Sequence, residues 1–274
     1  MRRWNVVVGV VLIVIGAFAV LQVALNALGI AFRIWWIFWP IVLIAAGLWL
    51  ISGFFRRSLP SAGREETSIP LEGATEAAVA VHHGAGRLFI GGGLAGAANL
   101  LLAGTFGGGL DTQRRREGNR LVVDMRVRDR DVFHYIFPWA RGRSGLLDWD
   151  FTLSTAVPLF LNLETGASDS RLSLANLQLR ELHLKTGASS TTVELPAAGG
   201  FTRVIVESGA AAVRLRVPSG VAASIQVRSA LAGIHVNRQR FPETAGGFRS
   251  PDYDRAANKV DISIDTGMGA IEVT

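Results

Sequence analysis

The sequence predicts a mainly β fold, in which a β-solenoid of stacked repeats follows a two-helix transmembrane hairpin. A short segment that begins at Leu161 returns at Leu182, Val204 and Ile225, at intervals of 21 or 22 residues. Each copy alternates apolar with polar residues and then has Thr or Ser followed by Gly or Ala. Period-2 alternation is typical of strands with one buried face, and a fixed period of about 20 residues is typical of stacked repeats. Two long apolar runs precede these copies.

Residues 1–57 are predicted to form the hairpin, with helices at about 5–30 and 34–55. Each run holds enough apolar residues to cross a hydrocarbon core about 30 Å thick as a helix. Aromatic and arginine side chains mark the two membrane interfaces, where such residues commonly anchor a helix. The predicted interface anchors are Trp4, Trp35, Trp36, Trp39, Arg56 and Arg57.

Five arginines and no acidic residue lie in residues 1–57, although the whole chain has a net charge of only +6. The basic character therefore belongs to the membrane end and does not indicate nucleic-acid binding. Arg2, Arg3, Arg56 and Arg57 lie on one side of the hairpin, so the positive-inside rule places both termini of this multi-pass membrane protein in the cytoplasm. The alternative is a cleaved signal peptide before a single anchor helix, which would place the repeats outside, but the sequence shows no clear cleavage site.

Residues 58–74 are predicted to be a linker, because they combine Pro, Gly and charged residues without a period. Residues 75–274 are the predicted β-repeat domain, interrupted by loops at 128–148 and 237–257. A last copy of the repeat, Ile262–Val273, follows the second loop. This copy is predicted to be the final coil of the stack.

The hydroxyl–glycine step of each copy is predicted to be the turn of the repeat, because Gly permits backbone angles that other residues avoid. The predicted turn residues are Thr165, Gly166, Thr186, Gly187, Ser208, Gly209, Thr266 and Gly267. Stacked in successive copies, their hydroxyls can form a ladder of structural hydrogen bonds. A nucleophilic role is not predicted, since no general base accompanies them.

No catalytic residue, metal site or cofactor is predicted. The chain has no cysteine, which excludes thiolate ligands and cysteine nucleophiles. His82 and His83 are neighbours on a predicted strand, so their side chains point to opposite faces and cannot readily share a metal ion. Both are interpreted as turn histidines. His183 is predicted to face solvent, because it lies between the inward-facing Leu182 and Leu184.

Carboxylates and glycines also receive a structural interpretation. Four carboxylates lie near one another in sequence, and carboxylate pairs can act as general acid and base. They are Asp148, Asp150, Glu164 and Asp169. The position of Glu164 carries either charge in the other copies, which is typical of a solvated outer face. The glycines of residues 91–96 have neither the βαβ context of a dinucleotide site nor the Lys of a P-loop. Residues 97–102 beside them are predicted to form one or two helical turns.

The predicted loop 128–148 has aromatic residues followed by arginines. They are Phe133, Tyr135, Phe137, Trp139, Arg141 and Arg143. Aromatic residues beside arginines suit a membrane interface or a pocket on a partner protein. The alternative is a loop that caps an open end of the solenoid, where apolar faces and strand edges would otherwise be exposed. Both interpretations stay open at this point.

The segment Phe38–Leu50 resembles the transmembrane segment of the LiaI/LiaF-like family of bacterial envelope proteins. The repeat Leu161–Ala167 resembles the toast-rack β-domain of the cell-wall-active antibiotic response (LiaF-like) proteins, and it is similar to related adhesin-type β-solenoid domains. Together these resemblances cover about residues 34–56 and 75–274.

The resemblance implies a non-enzymatic, membrane-anchored regulatory or scaffold protein of the envelope-stress response. Its expected partners are the lipid bilayer and another membrane or signalling protein. The alternative function is a self-assembling structural or adhesin-like β-solenoid at the membrane surface, whose partner would be a further copy of the chain.

Overall fold

A computed structural model describes residues 64–94, 99–128 and 147–274 of the chain. All regular elements in these three ranges are β-strands, and no helix among them is long and apolar enough to span a membrane. The predicted hairpin and the predicted aromatic and arginine contacts lie outside the described ranges. These residues are Trp4, Trp35, Trp36, Trp39, Arg56, Arg57, Phe133, Tyr135, Phe137, Trp139, Arg141 and Arg143.

The described strands belong to one sheet of 14 strands. In chain order they are β1 (Glu65–Pro70), β2 (Glu76–Gly92), β3 (Leu100–Phe106), β4 (Leu110–Glu117), β5 (Arg120–Val127), β6 (Trp149–Leu153), β7 (Leu159–Ser173), β8 (Leu179–Thr186), β9 (Ser190–Glu194), β10 (Phe201–Arg216), β11 (Ala222–Val236), β12 (Glu243–Thr244), β13 (Gly247–Arg249) and β14 (Lys259–Val273).

Parallel layers, which we call rungs, form the body of this sheet. In spatial order the rungs are β2, β7, β8 together with β9, β10, β14 and β11. Leu161 in β7 pairs with Val79 in β2 on one side and with Leu182 in β8 on the other. Residues one repeat apart are therefore direct neighbours, and the period in the sequence is the spacing of the rungs.

The apolar residues of the rungs meet in one core. Leu163, Leu184 and Val206 are fully buried and lie in register on consecutive rungs. The same core includes residues from Ile69 in the first strand to Val273 in the last. Burying one such side chain contributes about 1.5–3 kcal/mol, so the stacked columns hold the rungs together. The predicted stack of repeats is confirmed.

Each rung bends at its hydroxyl–glycine step while the sheet continues. In β7, Leu163 and Thr165 are buried before the step, whereas after it the buried positions shift by one residue, to Ser168 and Ser170. This shift keeps the apolar side chains of both arms of the rung on the inside, although the chain changes direction. Strands β7, β10 and β14 run unbroken through the step, and only β8 and β9 are separated there.

The structure therefore differs from the predicted turns in three of the four copies, where these residues form corners inside strands, whereas Gly187 lies in a bend between β8 and β9. The corner residues are Thr165, Gly166, Thr186, Gly187, Ser208, Gly209, Thr266 and Gly267. Glycine is needed at the corner for close approach between rungs. A Cβ atom on Gly166 would lie 2.3 Å from the carbonyl oxygen of Gly84, which is the corner glycine of the neighbouring rung.

The order of the rungs does not follow the order of the chain. Strand β14, the last copy of the repeat, pairs in parallel with β10 on one side and with β11 on the other. The prediction that this copy is the final coil is therefore wrong, and β11 lies farther out. The segment between β11 and β14 is long enough to return the chain to the inner position, where both edges of β14 find a partner.

The near end of the stack is built from antiparallel strands. Strand β3 pairs with β1 and with β6, while the hairpin of β4 and β5 joins β2 through β5. The predicted linker 58–74 therefore contains a strand, β1. Part of the predicted helical turns at residues 97–102 lies outside the described ranges, and residues 100–102 belong to β3. Leu101 and Leu102 are buried in the core through pairing that local periodicity does not reveal.

The far end carries a small hairpin. Strands β12 and β13 lie within the predicted loop 237–257, and β13 pairs with Ser224 and Ile225 at the start of β11. Phe241 beside this hairpin is fully buried, and the side chain of Ser250 accepts a hydrogen bond from the Ala223 N–H at 2.8 Å. The predicted loop is therefore a partial cap on the first arm of β11.

Candidate interaction surface

Charged side chains form a row across the outer face of the first arms of the rungs. The row, which we call the charge row, consists of Arg126, His82, Glu164, Lys185, Glu207, Asp265 and Arg228. Each member is paired in register with the next, so the positions are fixed by the strand spacing of about 4.8 Å. The prediction that the Glu164 position changes charge from copy to copy on an outer face is confirmed.

Contacts within and beside the charge row are short. The His82 Nδ1 atom lies 2.8 Å from Glu164 Oε2, and Lys185 Nζ lies 3.8 Å from Glu207. His183, which faces outward as predicted, contacts Glu207 at 3.2 Å. Glu207 and Asp265 are adjacent carboxylates, and like charges on neighbouring strands repel each other. Lys185 and Arg228 on the two outer sides offset this repulsion.

Asp124 anchors the first members of the charge row. Its carboxylate accepts a hydrogen bond of 2.8 Å from Arg126 Nε and lies 3.6 Å from His82 Nε2. The hydrogen bond from Arg126 lowers the pKa of Asp124 below its usual value, although partial burial opposes this effect. The carboxylate is therefore ionised at neutral pH and holds both basic side chains in place. The row borders an open groove of about 930 Å³ along the corners.

Hydroxyl groups line the inner side of the corners. Thr165 Oγ1 donates a hydrogen bond of 3.0 Å to Thr186 Oγ1, and Ser208 Oγ donates one of 2.8 Å to Thr266 Oγ1. These bonds confirm the predicted hydroxyl ladder for two pairs of rungs. Ser229 on the outermost rung is exposed, and it is not among the bonded hydroxyls. Groups that satisfy one another inside the stack hold the corner together.

His83 occupies the corner position of β2, where the other rungs have Thr or Ser. It lies within a strand and is 1% exposed, so the interpretation as a turn histidine is wrong for His83 and for its outward neighbour His82. Its Nε2–H donates to the Leu147 carbonyl at 2.8 Å, and Nδ1 has no hydrogen-bond partner among the described residues. Burial lowers the pKa of the His83 imidazole, which the Leu147 hydrogen bond and the charge of Asp148 oppose only in part.

The buried neutral His83 predicts a loss of stability in mild acid. Because its pKa is lower in the folded state than in the unfolded state, the unfolded chain binds more protons below about pH 6.5. As the pH decreases below this value, the free energy of unfolding should fall by up to about 1.4 kcal/mol per pH unit. Above this pH, His83 should not contribute to the pH dependence of stability. Urea unfolding of the full chain in detergent, at several pH values, measures this slope.

A His83→Asn variant should lose this part of the pH dependence. The outer-face substitution His183→Asn is the matched control, since it removes an imidazole that is not buried. An unchanged slope in His83→Asn would contradict the assignment.

Three of the four carboxylates singled out in the sequence meet in a second groove of about 460 Å³, together with three arginines. Its charged residues are Arg64, Arg87, Arg171, Asp148, Asp150 and Asp169. Arg87 donates to Asp148 from its backbone N–H at 3.1 Å and from Nε at 2.9 Å. Burial raises the pKa of Asp148, but the hydrogen bonds from Arg87 outweigh it and bring the pKa below its usual value. An ionised, paired carboxylate of this kind is a poor general acid.

Glu164 lies apart from these carboxylates, in the charge row. Among the described residues, no group of three His, Asp or Glu side chains could hold a metal ion. What the outer face offers chemically is therefore ionic and hydrogen-bonding contact across a broad surface.

The far end of the stack has an apolar patch that sequence reasoning missed. Leu231 and Met268 are 79% and 55% exposed, and Ile234 is 40% exposed. The first two lie in register with Ala210 at the outer side of the corner, where the earlier rungs have Ala167. The sequence does contain a signal for this patch: a large apolar residue replaces the Ala of the earlier copies in the last two rungs.

Comparison with known proteins identifies relatives of this fold. The family model for the N-terminal domain of toast_rack, DUF2154, matches residues 59–216. The crystal structure of a Clostridium sporogenes protein with a proposed role in cell adhesion is similar with a TM-score of 0.68 at 16% identity, over 77% of this chain and 98% of that one. This likeness shows the fold alone.

A Bacteroides fragilis protein proposed to be an adhesin is also similar in part. The comparison covers 78% of this chain and 99% of that one at 8% identity, with a TM-score of 0.26, which is too low to support an inference. No curated protein matches the sequence.

Proposed function

This chain belongs to the toast_rack N-terminal domain family, and from that premise we propose that it is a regulatory or scaffold protein of the bacterial cell envelope. In this proposal it is anchored in the membrane, is LiaF-like, acts without catalysis and takes part in the envelope-stress response. Its β-domain binds a membrane or signalling protein.

The charge row is the observation that carries the proposal. Strand pairing fixes its members at even spacing on a rigid sheet, so a partner meets a preset pattern of charge. Complementary charge of this kind determines which partner binds and how fast. The adjacent acidic pair Glu207 and Asp265 is the strongest departure from alternation in the row, and it favours a basic contact on the partner.

The two apolar runs in residues 1–57 support the membrane anchor of this proposal. Runs of this length suit the thickness of a bilayer, and the arginines that flank them favour cytoplasmic termini. The lipid bilayer is then the first partner of the chain, and the β-domain lies on the side where kinases and other signalling proteins act.

Crosslinking in cells, followed by purification of the full chain in detergent, tests the proposal. We expect a membrane or signalling protein to be recovered, and recovery should change with envelope stress. The double variant Glu207→Lys, Asp265→Lys should reduce recovery by about tenfold, because it reverses the charge of the acidic pair.

Glu66→Lys is the control for this experiment, since it makes the charge change of one of these two substitutions at an exposed position of β1 outside the charge row. Recovery of no such partner in either condition would contradict the proposed function. If Glu66→Lys and the double variant reduce recovery of the partner equally, the charge row is not the surface that binds it.

A second candidate function is an adhesin-like or self-assembling solenoid at the membrane surface. It is favoured by the likeness of the fold to the Clostridium sporogenes protein with a proposed role in cell adhesion. A reporter fused at Thr274 separates the two candidates. Activity of a cytoplasmic reporter supports the regulatory role, whereas activity of an external reporter places the adhesin-like role ahead.

A further inference from the structure

The outermost rung has an unpaired strand edge. Strand β11 pairs with β14 along its length, but on its other side the described strands supply only β13, at Ser224 and Ile225. From Gln226 to Val236 no described strand covers it. We call residues Gln226–Val236 the open edge. Exposed edges of this length are templates for the addition of another strand, and natural proteins usually block them.

The core of the stack is incomplete beside the open edge. Ile234 lies in register with the fully buried Ile271, which lies in register with the buried Val213 of the next rung. The column of inward side chains thus ends at Ile234, which is 40% exposed, whereas Ile271 is 1% exposed. One more strand along the open edge would bury Ile234 as its neighbours in the column are buried.

Among the described residues, a cap covers only the first arm of this rung. The hairpin of β12 and β13 covers the start of β11, and Phe248 packs against the core there. The second arm has no corresponding strand beside it among the described residues: Val236 at its end is buried, but Leu231 is 79% exposed at its corner. The occupant that the open edge lacks is therefore an extended segment with apolar residues facing inward.

Charge distinguishes between possible occupants. On the outer face of β11, Arg228 lies beside Asp265 of β14, and His235 lies beside Glu272. Glu272 in turn forms an ion pair with Arg214 of β10 at 2.6 Å. The last side chain in each of these two rows, Arg228 or His235, is basic. Acidic residues on an added strand would therefore continue the alternation of basic and acidic side chains across the rungs.

A second copy of the chain fits the open edge less well. The open edge contains two basic residues, Arg228 and His235, and no acidic residue. Two open edges paired with each other would therefore offer neither side chain a carboxylate, and like charges on neighbouring strands repel each other.

We propose that the open edge binds an extended segment of a partner protein in which apolar and acidic residues alternate. The segment adds to β11 as a further rung: its backbone pairs with the open edge, its apolar residues cover Ile234, and its acidic residues contact Arg228 and His235. This inference rests on the proposed protein-binding function and names the surface and the chemistry of the partner.

Two labelled peptides of about eight residues test this binding mode, since strands of that length are common. One alternates Val with Glu and the other alternates Val with Lys. Titrated into the full chain in detergent, the Glu peptide should bind at least about tenfold more tightly than the Lys peptide. Arg228→Glu should reverse this preference, because it replaces the basic contact with an acidic one.

Ile234→Lys should weaken binding of the Glu peptide by at least about tenfold, because an inward charge blocks strand addition. Phe89→Lys is the matched control: Phe89 is 39% exposed, but it lies on β2, which is paired with β6 and β7 on its two sides. The proposal is overturned if neither peptide binds, if both bind equally, or if Phe89→Lys weakens binding as much as Ile234→Lys.

The crosslinking experiment distinguishes failure of this inference from failure of the proposed function. If the cellular partner is recovered equally well by Ile234→Lys and by the unchanged chain, the open edge is not its site, although the protein still binds a partner. If sedimentation shows a dimer that Ile234→Lys abolishes, the occupant is a second copy and the partner-strand proposal is overturned.

Discussion

Replacing Gly166 with alanine is expected to lower the free energy of unfolding by about 3 kcal/mol, at the upper end for an overpacked site. The added Cβ would lie 2.3 Å from the carbonyl oxygen of Gly84 on the neighbouring rung. The residues that flank the two glycines are paired, His83 with Thr165 and Ala85 with Ala167, so neither glycine can move without disturbing hydrogen bonds of the sheet. The change would be measured as the midpoint of urea unfolding, followed by circular dichroism of the full chain in detergent.

Gly209→Ala is the matched control for this prediction. Gly209 is also a corner glycine, but a Cβ there would lie 3.4 Å from the carbonyl oxygen of Gly187, which is ordinary contact. Alanine also lowers the entropy of the unfolded chain, which favours folding by about 0.4–1 kcal/mol. We therefore expect Gly209→Ala to stay within about 1 kcal/mol of the original stability. Equal losses in both variants would show that corner spacing does not determine the effect.

Leu184→Ala is expected to cost about 3 kcal/mol as well, within the range measured for such changes in buried sites. Leu184 is fully buried between Leu163 and Val206 on the two neighbouring rungs. Truncation leaves a cavity that paired strands on both sides cannot close. The same unfolding measurement applies, and the loss should appear as a lower midpoint with an unchanged slope.

Leu231→Ala serves as the comparison for Leu184→Ala, because it removes the same atoms from a side chain that is 79% exposed. Its effect on stability should be within about 0.5 kcal/mol. In the binding experiment, however, it should weaken the Glu peptide, since Leu231 lies at the corner of the open edge. A large loss of stability in Leu231→Ala would mean that this side chain is covered in the folded protein.

Much of the stack could be read from the spacing of residues. The period that separates Leu161 from Leu182 fixed their pairing in register, because stacked strands place equivalent residues side by side. The change of charge between Glu164 and Lys185 indicated an outer face for the same reason. The corners were misread as turns, since Thr165–Gly166 has the composition of a turn. Only the pairing on both sides shows that the strand continues through it.

The ends of the stack were harder to predict. Residues 100–102 and 237–257 have no repeat to define their structure, and their strands form through contacts with distant parts of the chain. The apolar pattern of Leu101 and Leu102 does not distinguish a helical turn from a strand, because two adjacent residues carry no period. Burial against distant strands decided the outcome.

The mainly β fold, the length of a rung and the face that each rung buries follow from the sequence, since they depend on the period and alternation of neighbouring residues. Which rung lies beside which depends on pairing between distant strands. This pairing placed β14 between β10 and β11, and so left β11 with the open edge at the far end. A repeat makes its copies nearly equivalent, so local sequence does not rank one neighbour above another. The connection between β11 and β14 and the burial of both edges of β14 make that choice.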